Sequence, residues 1–196
     1  MSAAPQLPVT TDVLPRKRFT RQDVERFMAT GVLDGQRLEL LDGDLVDKMG
    51  QNPRHAATIQ RLFVALLKIF DAALIRIQLP MEAASTDRDR SVPEPDLALL
   101  AETKPDFDHR HPRGDELLLV VEVSDTTAAF DLSRKAQIYA NAGVPEYWVV
   151  DLNNKRLVVH HKPDGSVYRL VQQLSETDEV SLDGHSIRIG DILPKA

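Results

Sequence analysis

Apolar residues follow two rhythms along this chain. After Asn52, residues Ile59, Leu62, Phe63, Leu66, Leu67 and Phe70 recur every three or four positions, the spacing of one helix face. Asn52 is a natural N-cap and Pro53 suits the first helical position, so a long helix is predicted there. "FTRQDVERFMATG" predicts a shorter helix, with Thr20 as cap, Val24, Phe27 and Met28 as its buried stripe and Gly31 as its stop. "DLSRKAQIYANAG" predicts a third, capped by Asp131 and stopped at Gly143. Its inward stripe is Leu132, Ala136, Tyr139 and Gly143, flanked by Lys135.

The second rhythm is short apolar runs ended by turn residues. "RLELLDGDLVDKM" predicts a hairpin through Asp42–Gly43. "LIRIQLP", "MEAAS", "DLALL", "LLLVVEVSD", "EYWVVDL", "RLVVHH" and "SVYRLVQQL" read as strands. The order is helix, hairpin, long helix, strands, helix, strands. It predicts an α/β or α+β arrangement around one mixed sheet, in a single domain over residues 17–196. Residues 1–16, with three prolines and no periodicity, are expected to form a mobile tail.

Charge and composition narrow the class. A net charge of -6 argues against holding nucleic acid by bulk charge alone. The absence of cysteine excludes disulfides and thiolate zinc sites and fits a reducing cytoplasm. No stretch is long and apolar enough to span a membrane, so no membrane partner is expected.

One residue breaks the second pattern. "LLLVVEVSD" is apolar on both faces, as a strand in the middle of a covered sheet should be, yet it carries Glu122. A buried carboxylate must be paired, hydrogen-bonded or metal-bound. "VPEPDLALL" sets Asp96 at the start of another apolar strand, and antiparallel neighbours would bring Asp96 beside Glu122. Two carboxylates at close range repel unless a cation lies between them, and oxygen-rich, cysteine-free surroundings suit Mg²⁺ or Mn²⁺. Lys135, beside the inward stripe of the next helix, could reach Glu122 with its long stem. Two acids and a lysine around a cation make a phosphoester-cleaving set.

The same residues also allow plainer readings. Glu122 could be a structural acid, Asp96 a turn residue and Lys135 a lysine laying its stem on apolar surface. His55 shares the face of Ile59 and Leu62 and reads as a satisfied histidine at the core's edge. Glu94, two residues from Asp96, could support the site from behind. "HRHPR" reads as a solvated loop, and Tyr147 and Trp148 as packing.

The chain resembles the Uma2 family of the PD-(D/E)XK restriction-endonuclease-like superfamily. The likeness is carried by "ELLDGDLVDKM", His55, "VPEPDLALL" and "VVEVSDTTAAFDLSRKAQIYANAGVPEYWVVD". It implies a restriction-endonuclease-like mixed β-sheet core flanked by helices, and an endonuclease that hydrolyses DNA phosphodiesters with Mg²⁺ or Mn²⁺. By similarity Asp96 and Glu122 are the motif acids and metal ligands, Glu39 is an additional ligand, and the Val123 carbonyl a further one. Ser124 stands where the motif has lysine, and Lys135 takes over that place. DNA is the implied partner, and duplex cleavage by such folds implies a homodimer. Two alternatives stand beside this reading: a nuclease fold that no longer cuts and serves as a binding module, and a metal-dependent hydrolase of another phosphoester.

Overall fold

The computed structural model describes residues 16–48 and 52–195. The tail expected over residues 1–16 lies outside the described residues except for Arg16. Helix α1, Arg21–Ala29, opens on a reciprocal capping box between Thr20 and Asp23 and ends before Gly31, whose φ of 73° suits a glycine stop. Its expected stripe is not a core stripe. No residue of α1 is buried and Met28 is 58% exposed. The helix stands at the periphery, where Phe27 meets Phe19 edge to face instead of a sheet.

Strands β1, Leu38–Leu41, and β2, Asp44–Asp47, form the expected hairpin, with Asp42 and Gly43 both at positive φ in its two-residue turn. Helix α2, Pro53–Leu67, is capped by the Asn52 side chain and buries Ile59, Leu62 and Leu66. A six-stranded sheet follows in the order β3-β4-β5-β6-β7-β8. Its strands are Ile75–Ile77, Leu97–Leu100, Leu117–Ser124, Glu146–Asp151, Arg156–Asp164 and Val167–Ser175. Only the β5–β6 pair is parallel. Parallel neighbours need a crossover, and the helical run α3 supplies it as Ala128–Phe130, a π turn over Asp131–Lys135, and Ala136–Asn141.

Side-chain alternation splits the core between the two faces of the sheet. Leu119, Val121, Val123, Trp148 and Val150 pack under α2. Ala98, Val120, Tyr147 and Val149 pack under α3 with Ala136 and Tyr139. "MEAAS" is not a strand; among the described residues it makes one isolated bridge, Glu82 to Arg113. Its apolar signal came from Met81 and Ala83, which are buried without joining a ladder. Beyond the expected elements, β9, Glu179–Leu182, and β10, His185–Arg188, form a second Asp-Gly hairpin through Asp183–Gly184. With the helical turn Ile189–Ile192, that hairpin closes the α2 face of the core. "LDG" at Leu182–Gly184 repeats the signal at Leu41–Gly43 and could have revealed it.

The polar loop before β5 is pinned rather than loose. Glu116 accepts two bonds from the Arg110 guanidinium (2.6 and 2.7 Å), one from Lys104 and one from the Arg113 backbone N–H. The Arg110 guanidinium holds the Glu116 carboxyl far below the usual carboxylate range, so the basic run "HRHPR" spends its charge on the fold. Gly114 in this loop lies so close to the end of α3 that a Cβ would stand 2.2 Å from the Ala142 carbonyl oxygen. Gly114→Ala is therefore expected to lower stability by about 1–3 kcal/mol, measured by chemical denaturation, because backbone cannot yield as a side chain can.

Candidate active site

The antiparallel β4–β5 ladder ends at the pair Leu97–Val121. Asp96 stands one residue before that pair on β4 and Glu122 one residue after it on β5, so the two acids meet at the ladder's end. Glu122 alternates with Val120 and therefore faces α3. Both are about 5% exposed. They border a cavity of about 170 Å³ that also touches Glu39, His55, Gln78 and Lys135.

Helix α3 delivers the lysine. A regular α-helix drifts round its axis with every step of four residues; the wider π turn over Asp131–Lys135 offsets that drift. Asp131, Lys135 and Tyr139 thus stay on the sheet side, and all three are buried. The Lys135 Nζ stands 2.8 Å from Glu122 Oε1 and 3.0 Å from Glu39 Oε2. Tyr139 also donates its hydroxyl to Glu122 Oε1, at 2.5 Å. The other Glu39 oxygen accepts the Glu94 backbone N–H at 2.7 Å, and Glu94 itself is tied to Lys48.

Asp131 corrects the expected cap. The helix begins at Ala128, and the Asp131 carboxylate instead accepts the hydroxyls of Ser124 and Thr127, each at 2.6 Å. Ser124, at the position where the superfamily motif has lysine, thus donates its hydroxyl to Asp131.

Asp96 is held by three elements. Its Oδ2 meets His55 Nε2 at 3.1 Å, from the first turn of α2, and accepts the Val123 backbone N–H at 2.9 Å. Its Oδ1 accepts the Gln78 side-chain amide at 3.3 Å. Burial pushes the Asp96 carboxyl up, but the hydrogen bond and charge of His55, then Val123 and Lys135, outweigh it and hold the group below its ordinary range. Glu122 goes the other way. Burial pushes its carboxyl up first; Lys135 pulls it back, but Asp96, Asp131 and Glu39 add to the push, and the result is about 8.

One consequence is testable. Glu122 binds a proton more tightly when folded than its ordinary 4.5. The stability this contributes is complete below about pH 4.5 and is lost as pH rises through about 8. In chelator, the melting temperature of the parent is expected to fall between pH 6 and pH 9 by several degrees more than that of Glu122→Gln. Scanning calorimetry at the two pH values checks this.

The donor set fits a hard divalent cation. Among the described residues Glu39 and Glu122 share the Lys135 ammonium while Asp96, bonded to His55, borders the same cavity, a shortage of positive charge that a cation would relieve. Val121 pairs toward β4, while the Ser124 carbonyl accepts from Leu152 on the opposite side. Alternation turns the Val123 carbonyl toward β4, past the last ladder pair and into the site. Among the described residues no three carboxylates or imidazoles form a ready-made cage. Mg²⁺ keeps several waters and needs only one or two protein carboxylates.

All four residues singled out from sequence, Glu39, Asp96, Glu122 and Lys135, border this one cavity. Three further groups were not read as site residues. His55, expected to be satisfied at the core's edge, has one ring nitrogen on Asp96, while the other, Nδ1, is buried and meets no partner among the described residues. Tyr139 was recognised as inward-facing, but its hydroxyl partner comes from another element. Gln78 follows a three-residue strand and carries no motif that would have revealed it.

Comparison with known proteins supplies the context. The model of the Uma2 family, described as "Putative restriction endonuclease", matches residues 24–189. The crystal structure of a "putative nuclease belonging to DUF820 from Anabaena variabilis ATCC 29413" matches with a TM-score of 0.60 at 10% sequence identity. The match covers 80% of this chain and 89% of that one. At that identity the likeness establishes the fold, a restriction-endonuclease-like mixed sheet flanked by helices. No curated protein matches.

Proposed function

This chain belongs to the Uma2 family, and on that footing we propose that it is a metal-dependent endonuclease hydrolysing DNA phosphodiester bonds. The observation that carries this is the Lys135 ammonium between Glu122 and Glu39, beside an Asp96 kept ionised. Asp96, Glu122, Glu39 and the Val123 carbonyl would hold Mg²⁺ or Mn²⁺. Such a cation lowers the pKa of a bound water and neutralises phosphate oxygens. Lys135, with three N–H donors, orients the attacking water and offsets the charge that develops on the phosphate. Tyr139 keeps the Glu122 carboxylate from rotating. A cytoplasmic setting and a homodimer that presents two such sites to the two strands of a duplex belong to the same proposal. No helix among the described residues is long and apolar enough to cross a membrane.

The net charge of -6 favours a second reading, a nuclease fold that binds a partner without cutting. Supercoiled and single-stranded DNA incubated with Mg²⁺, Mn²⁺ or chelator separate the two. Nicking that needs the cation supports the endonuclease. A folded, metal-binding protein that leaves every DNA intact rejects it, and a panel of smaller phosphoesters then exposes a hydrolase of another kind.

A further inference from the structure

Gln78 stands apart from the other residues around the cavity. Its φ is 50°, in the left-handed region that side chains other than glycine, asparagine and aspartate seldom occupy. Such strain persists where surrounding contacts over-determine it. Two contacts do so here, and both lead to Asp96. The Gln78 backbone N–H donates to the Asp96 backbone carbonyl at 3.2 Å, and its side-chain amide donates to Asp96 Oδ1 at 3.3 Å.

The two oxygens of that carboxylate are not equivalent. Oδ2 already receives the His55 ring and the Val123 backbone N–H, which fills its in-plane lone pairs. Among the described residues Oδ1 receives Gln78 alone, and a carboxylate oxygen has room for a second partner. Oδ1 is therefore the oxygen left for a cation, and the glutamine amide settles the direction of its remaining lone pair.

Resting on the endonuclease reading of this site, we infer that Gln78 is a positioning residue. Together with His55, it locks the Asp96 carboxylate in the rotation that offers Oδ1 to the divalent cation. Partners behind metal ligands act in this way, and their loss commonly costs about 10–100-fold in metal affinity. The left-handed backbone aims the amide at Oδ1, and Gln78 itself is only half-buried.

Gln78→Gly separates the two roles, because glycine adopts this φ without strain. Mn²⁺ binding to the full chain would be measured by the electron paramagnetic resonance signal of the free ion. Melting temperatures in chelator would be recorded alongside, for the parent, Gln78→Gly, Gln78→Met and Asp96→Asn. The expected result is a metal-free melting temperature for Gln78→Gly close to that of the parent, with Mn²⁺ affinity about 10–100-fold weaker. Gln78→Met, which keeps the bulk and loses the amide, should weaken binding similarly. If the parent binds Mn²⁺, Asp96→Asn does not, and both Gln78 variants bind as the parent does, the positioning role is overturned while the metal site stands. If the parent itself binds no Mn²⁺, the metal reading and this inference fall together.

Discussion

Asp96→Asn is expected to lose cation-dependent DNA cleavage by about 10³-fold or more while remaining folded. The loss follows from the geometry of Oδ1. An amide in place of the carboxylate removes the charge and, with its carbonyl kept on the Val123 N–H, turns an NH₂ toward the place where a cation would sit. The fold should tolerate the change. The Val123 N–H and the His55 ring can still bond to an asparagine carbonyl, and one of the charges pushing on buried Glu122 disappears. Above pH 8 the easier ionisation of Glu122 is set against the stability that ionised Asp96 contributes and the asparagine forgoes. Cleavage of supercoiled plasmid at saturating Mg²⁺, with thermal melts at pH 6 and pH 9, tests both parts. Cleavage within tenfold of the parent would remove Asp96 from the site.

Lys135→Met is expected to damage stability as well as activity. The lysine is 6% exposed, lies between two carboxylates that are each about 5% exposed or less, and is bonded to both. Removing one member of a buried ion pair typically costs about 3–5 kcal/mol, because the charge left behind has no partner. Here two carboxylates are left; below about pH 8 Glu122 already carries a proton, and above it two unpaired charges face each other. The penalty should accordingly be smaller at pH 6 than at pH 9. Adding Glu39→Gln to Lys135→Met should recover much of the stability and none of the cleavage. Urea denaturation of the two single variants and the double variant measures the coupling. An unchanged unfolding free energy in Lys135→Met would mean that the lysine is not held as the structure places it.

Removing Lys135 is by itself a poor test of catalysis. A protein that has lost Lys135 can fail to cut because it has lost chemistry or because it has lost its shape. Asp96→Asn and the double variant keep those causes apart.

Much of this arrangement is local enough to be read from the chain. Asn52 and Pro53 start α2, Thr20 starts α1, and Asp42–Gly43 turns the first hairpin, because caps and two-residue turns depend on backbone preferences within a few residues. The same holds for Gly31 and Gly143, which stop their helices at positive φ. Glu122 was conspicuous because a carboxylate in an apolar run violates the burial pattern of its own strand, and pairing with Asp96 followed once the two strands were set antiparallel. Where local reasoning misled, competing contacts were the cause. Asp131 left the cap position because Ser124 and Thr127, on the strand and loop before it, hold its carboxylate. Met28 lay on a convincing helical stripe but α1 found no sheet to cover it.

By itself, the sequence determined the main helices, the first hairpin and the strands of the large sheet, their order, and the three chemically costly residues Asp96, Glu122 and Lys135. Each of these is written in a periodicity, a cap or a break in a pattern. Only the tertiary structure decided what those residues bond to. The lysine's second partner Glu39 comes from the first hairpin, His55 from the start of α2, and Gln78 from a strained residue after β3. No short-range preference encodes such meetings. They arise because burial brings α2, α3 and the first hairpin together at one end of the sheet, where a polar group must find whatever partner the packing leaves within reach.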